Sequence, residues 1–109
     1  EAAVRAIRES GGFGVKVSDA AILEAIGEVA RGSGVFCEPA AAAAFAGLKE
    51  AVRRGMVPGS WEVVVLATGS GLKDVSAAMK VAGTPRVIPP DPAVLDALFG
   101  GSGSQRRNR

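Results

Sequence analysis

The chain has 109 residues, 48% of them hydrophobic, with a formal net charge of +2, a single cysteine and neither Tyr nor His. That length fits one domain, and that hydrophobic fraction excludes intrinsic disorder for the body of the chain. The positive charge is local, because without Arg106, Arg107 and Arg109 ten basic residues face eleven acidic ones, which leaves no basic excess for nucleic acid.

Residues 1–10, "EAAVRAIRES", read as a helix with Ala2, Ala3, Ala6 and Ile7 on its apolar face, ended by Gly11-Gly12. In "FGVKVS", Val15 and Val17 alternate with Lys16, which predicts a short strand. Ser18 or Asp19 then offers a side-chain oxygen to the free N–H groups of a new helix. Ile22, Leu23, Ile26, Val29 and Ala30 recur at helical spacing along it, and "RGSG" stops it.

The strongest helical pattern is "VFCEPAAAAAFAGLKEAVRRG". Pro39 suits a first helical position, where its missing N–H has no partner to lose. Phe45, Leu48 and Val52 mark its larger buried contacts. The five consecutive alanines leave no bulk along the first turns, so a helix, a strand or a ligand can approach closely. Its longest apolar run, Pro39 to Leu48, is about half of what a bilayer span needs, so no membrane segment is expected.

Pro58-Gly59 centres a turn. "WEVVVLAT" follows as a continuous apolar strand, the kind buried on both faces of a parallel sheet. A helix is predicted from about Lys73 to Ala82, an extended connector through "GTPRVIPPDP", and a last short helix from Pro92 to Phe99. The expected organisation is one α/β segment over 1–99, a partial parallel sheet flanked by helices, with a flexible basic tail over 100–109. Two strands make a thin sheet, so the Val63–Ala67 strand calls for neighbours supplied by a larger sheet or by self-association. The chain starts at Glu1, and reads as a trimmed product or a piece of a longer chain.

The corner "ATGSGLKD" ends the apolar strand. In α/β proteins ligands gather at the carboxyl ends of parallel strands. Thr68 supplies a hydroxyl there, Gly69 and Gly71 free the backbone, and the N–H groups beyond would favour an anion. The dinucleotide fingerprint fails, because Asp74 stands where it needs Gly or Ala, and the Walker lysine spacing is absent. A plain turn is the bland alternative. For Glu38 it is helix capping, for Cys37 a small buried hydrophobe, and for Lys73 and Asp74 first-turn helix positions.

"GVFCEPAAAAAFAGL" followed about thirty residues later by "VVVLATGSGLKD" resembles the C-terminal part of the threonine synthases, fold-type II pyridoxal-phosphate enzymes. The similarity extends back through "AVRAIRESGG" and "VSDAAILEAI" and covers Glu1 to about Lys80. The resemblance implies the C-terminal part of the large domain of such an enzyme. It implies pyridoxal phosphate as cofactor of the complete enzyme, and a reaction that takes O-phosphohomoserine and water to threonine and phosphate. It places Thr68, Gly69 and Glu38 at the cofactor, with the Thr68 hydroxyl donating to the pyridine nitrogen. A neutral hydroxyl suits an unprotonated ring nitrogen, where a carboxylate would favour a protonated one. Ser70 departs from the histidine frequent in the synthases, which puts substrate contacts at that position in doubt.

The chemistry also needs a Schiff-base lysine and a phosphate cradle. Lys16, Lys49, Lys73 and Lys80 all stand in contexts unlike that lysine, and no phosphate loop is present. No residue is therefore assigned to catalysis or to a metal. The chain is expected to be inactive alone, and to partner the missing N-terminal part or another copy of itself. An independently folded interaction module and a serine/threonine dehydratase fragment are the alternatives. A single cysteine fits a reducing cytoplasm.

Overall fold

Local sequence sets the helix boundaries. In the computed structural model, which describes residues 1–100, α1 spans Ala2–Glu9, α2 Asp19–Ser33, α3 Pro39–Arg53, α4 Val75–Ala82 and α5 Pro92–Phe99. A 3-10 turn, Gly71–Lys73, precedes α4. Of the two candidate caps for α2, Ser18 is the one used: its hydroxyl accepts from the Ala21 N–H at 3.2 Å. Asp74 caps α4 through the Ala77 N–H at 2.9 Å, and Asp91 caps α5 through the Ala93 N–H at 2.9 Å. Gly34, at φ +74°, closes α2 in the left-handed region that favours glycine.

Alanines make the core. Ala25 and Ala42 are fully buried where α2 lies on α3, and Ile26, Ala41, Ala46, Cys37 and Ala77 complete the cluster. The bulk-free stretch of α3 thus receives another helix. With no side chain beyond Cβ, the two backbones approach closely and gain dispersion contacts along their length. The Lys49 ammonium clamps the same pair of helices, donating to both carboxylate oxygens of Glu28 at 2.6 and 2.7 Å. Farther along, α4 leans on α2 at Gly27, where an added Cβ would stand 3.2 Å from Val81 Cγ1. On α3 the expected register slips in one place. Val52 is exposed and its neighbour Ala51 is buried, while Phe45 and Leu48 are half-buried.

The expected parallel sheet is not there. Among the described residues the structure is helical, with no sheet and one isolated antiparallel bridge, Cys37 to Ser70. Residues 13–17 and 62–68 run as irregular chain and do not pair with each other. A strand exists only through its ladder. An apolar run encodes a demand for burial, but it does not supply the neighbour that would satisfy its N–H and C=O groups. Val64 and Leu66, read as buried on both sides, are 85% and 72% exposed. The molecule measures 60 × 38 × 20 Å with a radius of gyration of 19.7 Å, against roughly 13 Å for a compact chain near this length. Helix α1 buries none of its residues. Most of the tail, 101–109, lies outside the described residues.

Candidate functional site

The corner after residue 67 is built by two glycines pressed onto the entrance of α3. The Glu38 N–H donates to the Gly69 carbonyl at 2.9 Å, and the Gly71 N–H donates to the Phe36 carbonyl at 3.1 Å. These two bonds frame the Cys37–Ser70 bridge. A Cβ at Gly69 would overlap the Glu38 carboxylate, and a Cβ at Gly71 would overlap the Phe36 ring. Neither glycine has a positive φ. They are needed here for close approach, not for a left-handed backbone.

Glu38 stands at the N-cap of α3, but its carboxylate caps no helix N–H. It turns to Lys73 instead, whose Nζ donates to Oε1 at 3.1 Å across 35 residues of sequence. The pair is asymmetric: the Glu38 side chain is 17% exposed and that of Lys73 65%. Lys73 and Asp74 are therefore not first-turn residues of one helix. Lys73 ends the 3-10 turn and holds Glu38, while Asp74 starts α4. Cys37 beside them is 2% exposed and packs as a small apolar residue.

Thr68 lies exposed at the lip of this corner. Among the described residues nothing hydrogen-bonds its hydroxyl, so the group is free to meet a ligand. The N–H groups of residues 71–74 are not. Besides Gly71, Leu72 donates to Ser70 Oγ at 3.3 Å, Lys73 to the Ser70 carbonyl at 3.1 Å and Asp74 to the Gly71 carbonyl at 3.2 Å. The turn thus uses the N–H groups of residues 71–74, leaves those of Gly69 and Ser70 without an acceptor among the described residues, and has the Lys73-paired carboxylate of Glu38 next to it.

The structure thus brings together Thr68, Gly69 and Glu38, and adds Lys73, which the sequence reading left as an ordinary helix residue. Its signal was faint: "GLKD" gives no hint that the lysine reaches back to position 38. The other lysines lie apart. Lys49 is tied to Glu28, a hydrogen bond that raises its pKa and keeps it a charged ammonium rather than a nucleophilic amine. Lys16 and Lys80 are exposed on the 13–17 segment and on α4. A separate apolar groove of about 410 Å³ lies between α2, α3 and the inward side chains Val63, Val65 and Ala67. Another, of about 480 Å³ beside Ser18, is lined by Lys49, Glu50 and Arg53, whose charges are neutralised by one another and by Glu28.

The profile of the pyridoxal-phosphate dependent enzyme family matches residues 1–69. The match reaches one residue beyond Thr68. The chain is 41% identical over 97 residues to a threonine synthase of Methanocaldococcus jannaschii, covering 89% of this chain and 24% of that protein. It is 44% identical over 97 residues to a threonine synthase of Mycobacterium tuberculosis, covering 88% and 27%. With a threonine synthase of Synechocystis it shares 47% identity over 78 residues, covering 72% and 20%. The chain spans about a quarter of the length of these curated relatives.

Proposed function

The chain belongs to the pyridoxal-phosphate dependent enzyme family, and on that premise we propose that it is the C-terminal part of a threonine synthase, contributing one wall of the cofactor pocket. The observation that carries this reading is the free Thr68 hydroxyl on a corner braced by Glu38 and Gly69, within a chain at least 40% identical to threonine synthases over most of its length.

The residues fit the cofactor at one end only. A neutral hydroxyl with no competing partner is a suitable donor to a heterocyclic nitrogen, and it leaves that nitrogen unprotonated. The phosphate end finds no glycine-rich loop of its own: the N–H groups of residues 71–74 are already bonded within the corner, and Glu38 stands beside them paired with Lys73. When bound in a complete enzyme, pyridoxal phosphate supplies the electron sink for changes at the carbons of an amino acid. The part played by this chain is positional. Thr68 holds its hydroxyl toward the ring edge, Gly69 lets Glu38 lie flat against the backbone, and Glu38 fixes that backbone through its own N–H.

The reaction we assign to the complete enzyme converts O-phosphohomoserine and water to threonine and phosphate, in the cytoplasm. The Schiff-base lysine and the phosphate cradle come from outside this chain, which is inactive by itself and associates with the rest of the enzyme or with another copy.

The test is to titrate the chain with pyridoxal phosphate, follow the visible spectrum, reduce with borohydride and map modified lysines by mass. Scattered modification or none is expected. One saturating adduct at Lys16, Lys49, Lys73 or Lys80 overturns the assignment of that lysine to another part of the enzyme. Mixing the chain with the remainder of a threonine synthase is expected to release phosphate from O-phosphohomoserine. A well-folded mixture that releases none refutes the synthase reading.

A further inference from the structure

Two extended segments, 13–17 and 62–68, lie on the helices, and among the described residues their backbones hydrogen-bond to nothing. They share a groove of about 340 Å³ on the flank of α3, with Phe13 and Val15 from one, Trp61 and Val63 from the other, and Gly47 and Ala51 from the helix. Gly47 stands inside α3, not at its end, and has no positive φ. A glycine there weakens the helix relative to alanine. At Gly27 of α2 the missing side chain has a use, because an added Cβ would crowd Val81 and Arg31. At Gly47 it would meet nothing within 4 Å. The described residues make no use of that space. A second backbone laid close over α3 would.

We propose that this groove is a docking slot for one extended, uncharged segment from the part of the enzyme outside this chain, held by backbone hydrogen bonds to residues 62–67 and by small apolar side chains over Gly47. The proposal rests on the threonine synthase reading and goes further by naming the surface and its occupant. Strand addition of this kind draws on unpaired backbone groups for affinity and on side-chain pockets for selectivity. The run Glu62 to Thr68 has no Lys, Pro or Gly, and Glu62 is its one charge. It therefore lacks most of the devices that keep foreign strands off an edge.

A second copy does not fit. Its own 62–68 run is backed by α2 and α3 through Val63, Val65 and Ala67, and its 13–17 segment is backed by α3. In a slot already floored by α3, either would bring a second helical layer into occupied space. Residues 101–109 are all polar or glycine, with three arginines, and do not suit an apolar floor. A bare strand fits, and about three-quarters of each curated relative lies outside the part matched by this chain.

The test reads amide hydrogen exchange at 62–67 with two probes. One is an uncharged, end-capped hexapeptide of alternating Thr and Val. The other is the Methanocaldococcus jannaschii threonine synthase shortened by the quarter that matches this chain, co-expressed with it. Both are expected to slow exchange at 62–67 on the order of tenfold or more. Gly47→Ala should raise the urea midpoint of the chain alone, because the helix gains and no neighbour is struck, and should still weaken both probes. Gly47→Leu fills the slot and should weaken them on the order of tenfold. Val64→Lys, on the exposed face away from the helices, should leave the hexapeptide within about twofold.

Unchanged exchange at 62–67 with both probes overturns the proposal. A lower urea midpoint for Gly47→Ala also overturns it, since the chain would then be packing its own atoms there. So does equal weakening of the hexapeptide by Val64→Lys and Gly47→Leu, the mark of an unspecific apolar face. The reading beneath it fails separately. If the hexapeptide protects 62–67 and a folded shortened synthase does not bind, the slot stands and the synthase assignment falls. If the shortened synthase binds and protects other residues while 62–67 exchanges freely, the assignment stands and the slot falls.

Discussion

Gly69→Ala is the sharpest perturbation of the corner, because its sign depends on one neighbour. Gly69 has an ordinary negative-φ backbone that alanine adopts without strain. On backbone grounds alone the substitution should stabilise, by about 0.4–1 kcal/mol, through lost freedom in the unfolded chain. The new Cβ, however, would overlap the Glu38 carboxylate and stand 2.8 Å from Glu38 Cγ. Forcing a methyl into an occupied space costs about 1–3 kcal/mol. Displacing the carboxylate also disturbs the Lys73 pair, which as a largely exposed contact contributes about 0.2–1 kcal/mol. The net expectation is a loss of about 0.2–3.6 kcal/mol in the unmodified chain. In a Glu38→Ala background the obstacle is gone, and the same Gly69→Ala should become neutral or stabilising. Urea unfolding followed by far-ultraviolet circular dichroism on the four proteins of this cycle gives the coupling directly. A coupling of about 1–3 kcal/mol is expected for groups in contact. If the two substitutions are additive within about 0.5 kcal/mol, then Glu38 does not occupy the face of Gly69, and the account of the corner is wrong.

Hydrogen bonds from Arg53 and Arg54 lower the Glu50 pKa to about 2 from its ordinary 4.5. A depressed folded-state pKa gives a stability contribution that is complete above pH 4.5 and lost as pH falls through about 2. Carboxyl ¹³C titration should find the low value, and Arg53→Met should move it upward. Lys49 shifts the other way, its pKa raised by the Glu28 hydrogen bond. Its contribution is present below pH 10.5 and vanishes only above that, so Lys49→Met should weaken the α2–α3 contact at neutral pH as read by urea unfolding. Asp74→Ala removes the cap of α4 and should cost about 1 kcal/mol, with faster amide exchange at Ala77. Ala42→Leu overfills the fully buried contact with α2 and should destabilise by about 1–3 kcal/mol, read as a lower urea midpoint.

The sequence by itself determined what is set within a few residues. Helix spans, the Pro39 start, the glycine stops and a cap at Ser18 or Asp19 were legible because caps and periodicity act through the i to i+4 neighbours of one segment. The family was legible too, because the Cys-Glu-Pro-Ala and Thr-Gly-Ser-Gly-Leu-Lys-Asp segments are continuous in the chain. Tertiary structure decided what depends on distant partners. The apolar run at 63–67 predicted a buried strand, but pairing needs a second backbone at hydrogen-bonding distance, and the described residues bring none to it. Ala51 is buried in place of Val52 because it faces the groove shared with Phe13, Val15, Val57 and Trp61, residues outside its own helix. Glu38 read either as a residue beside the cofactor or as a helix cap, the second because the first-turn N–H groups are its neighbours in sequence. It serves Lys73 instead, because the bridge between Cys37 and Ser70 folds residues 36–38 onto 69–71 and puts an ammonium 3.1 Å from the carboxylate. A charge responds to whatever lies within a few ångströms, and for Glu38 the fold alone determines which residue that is.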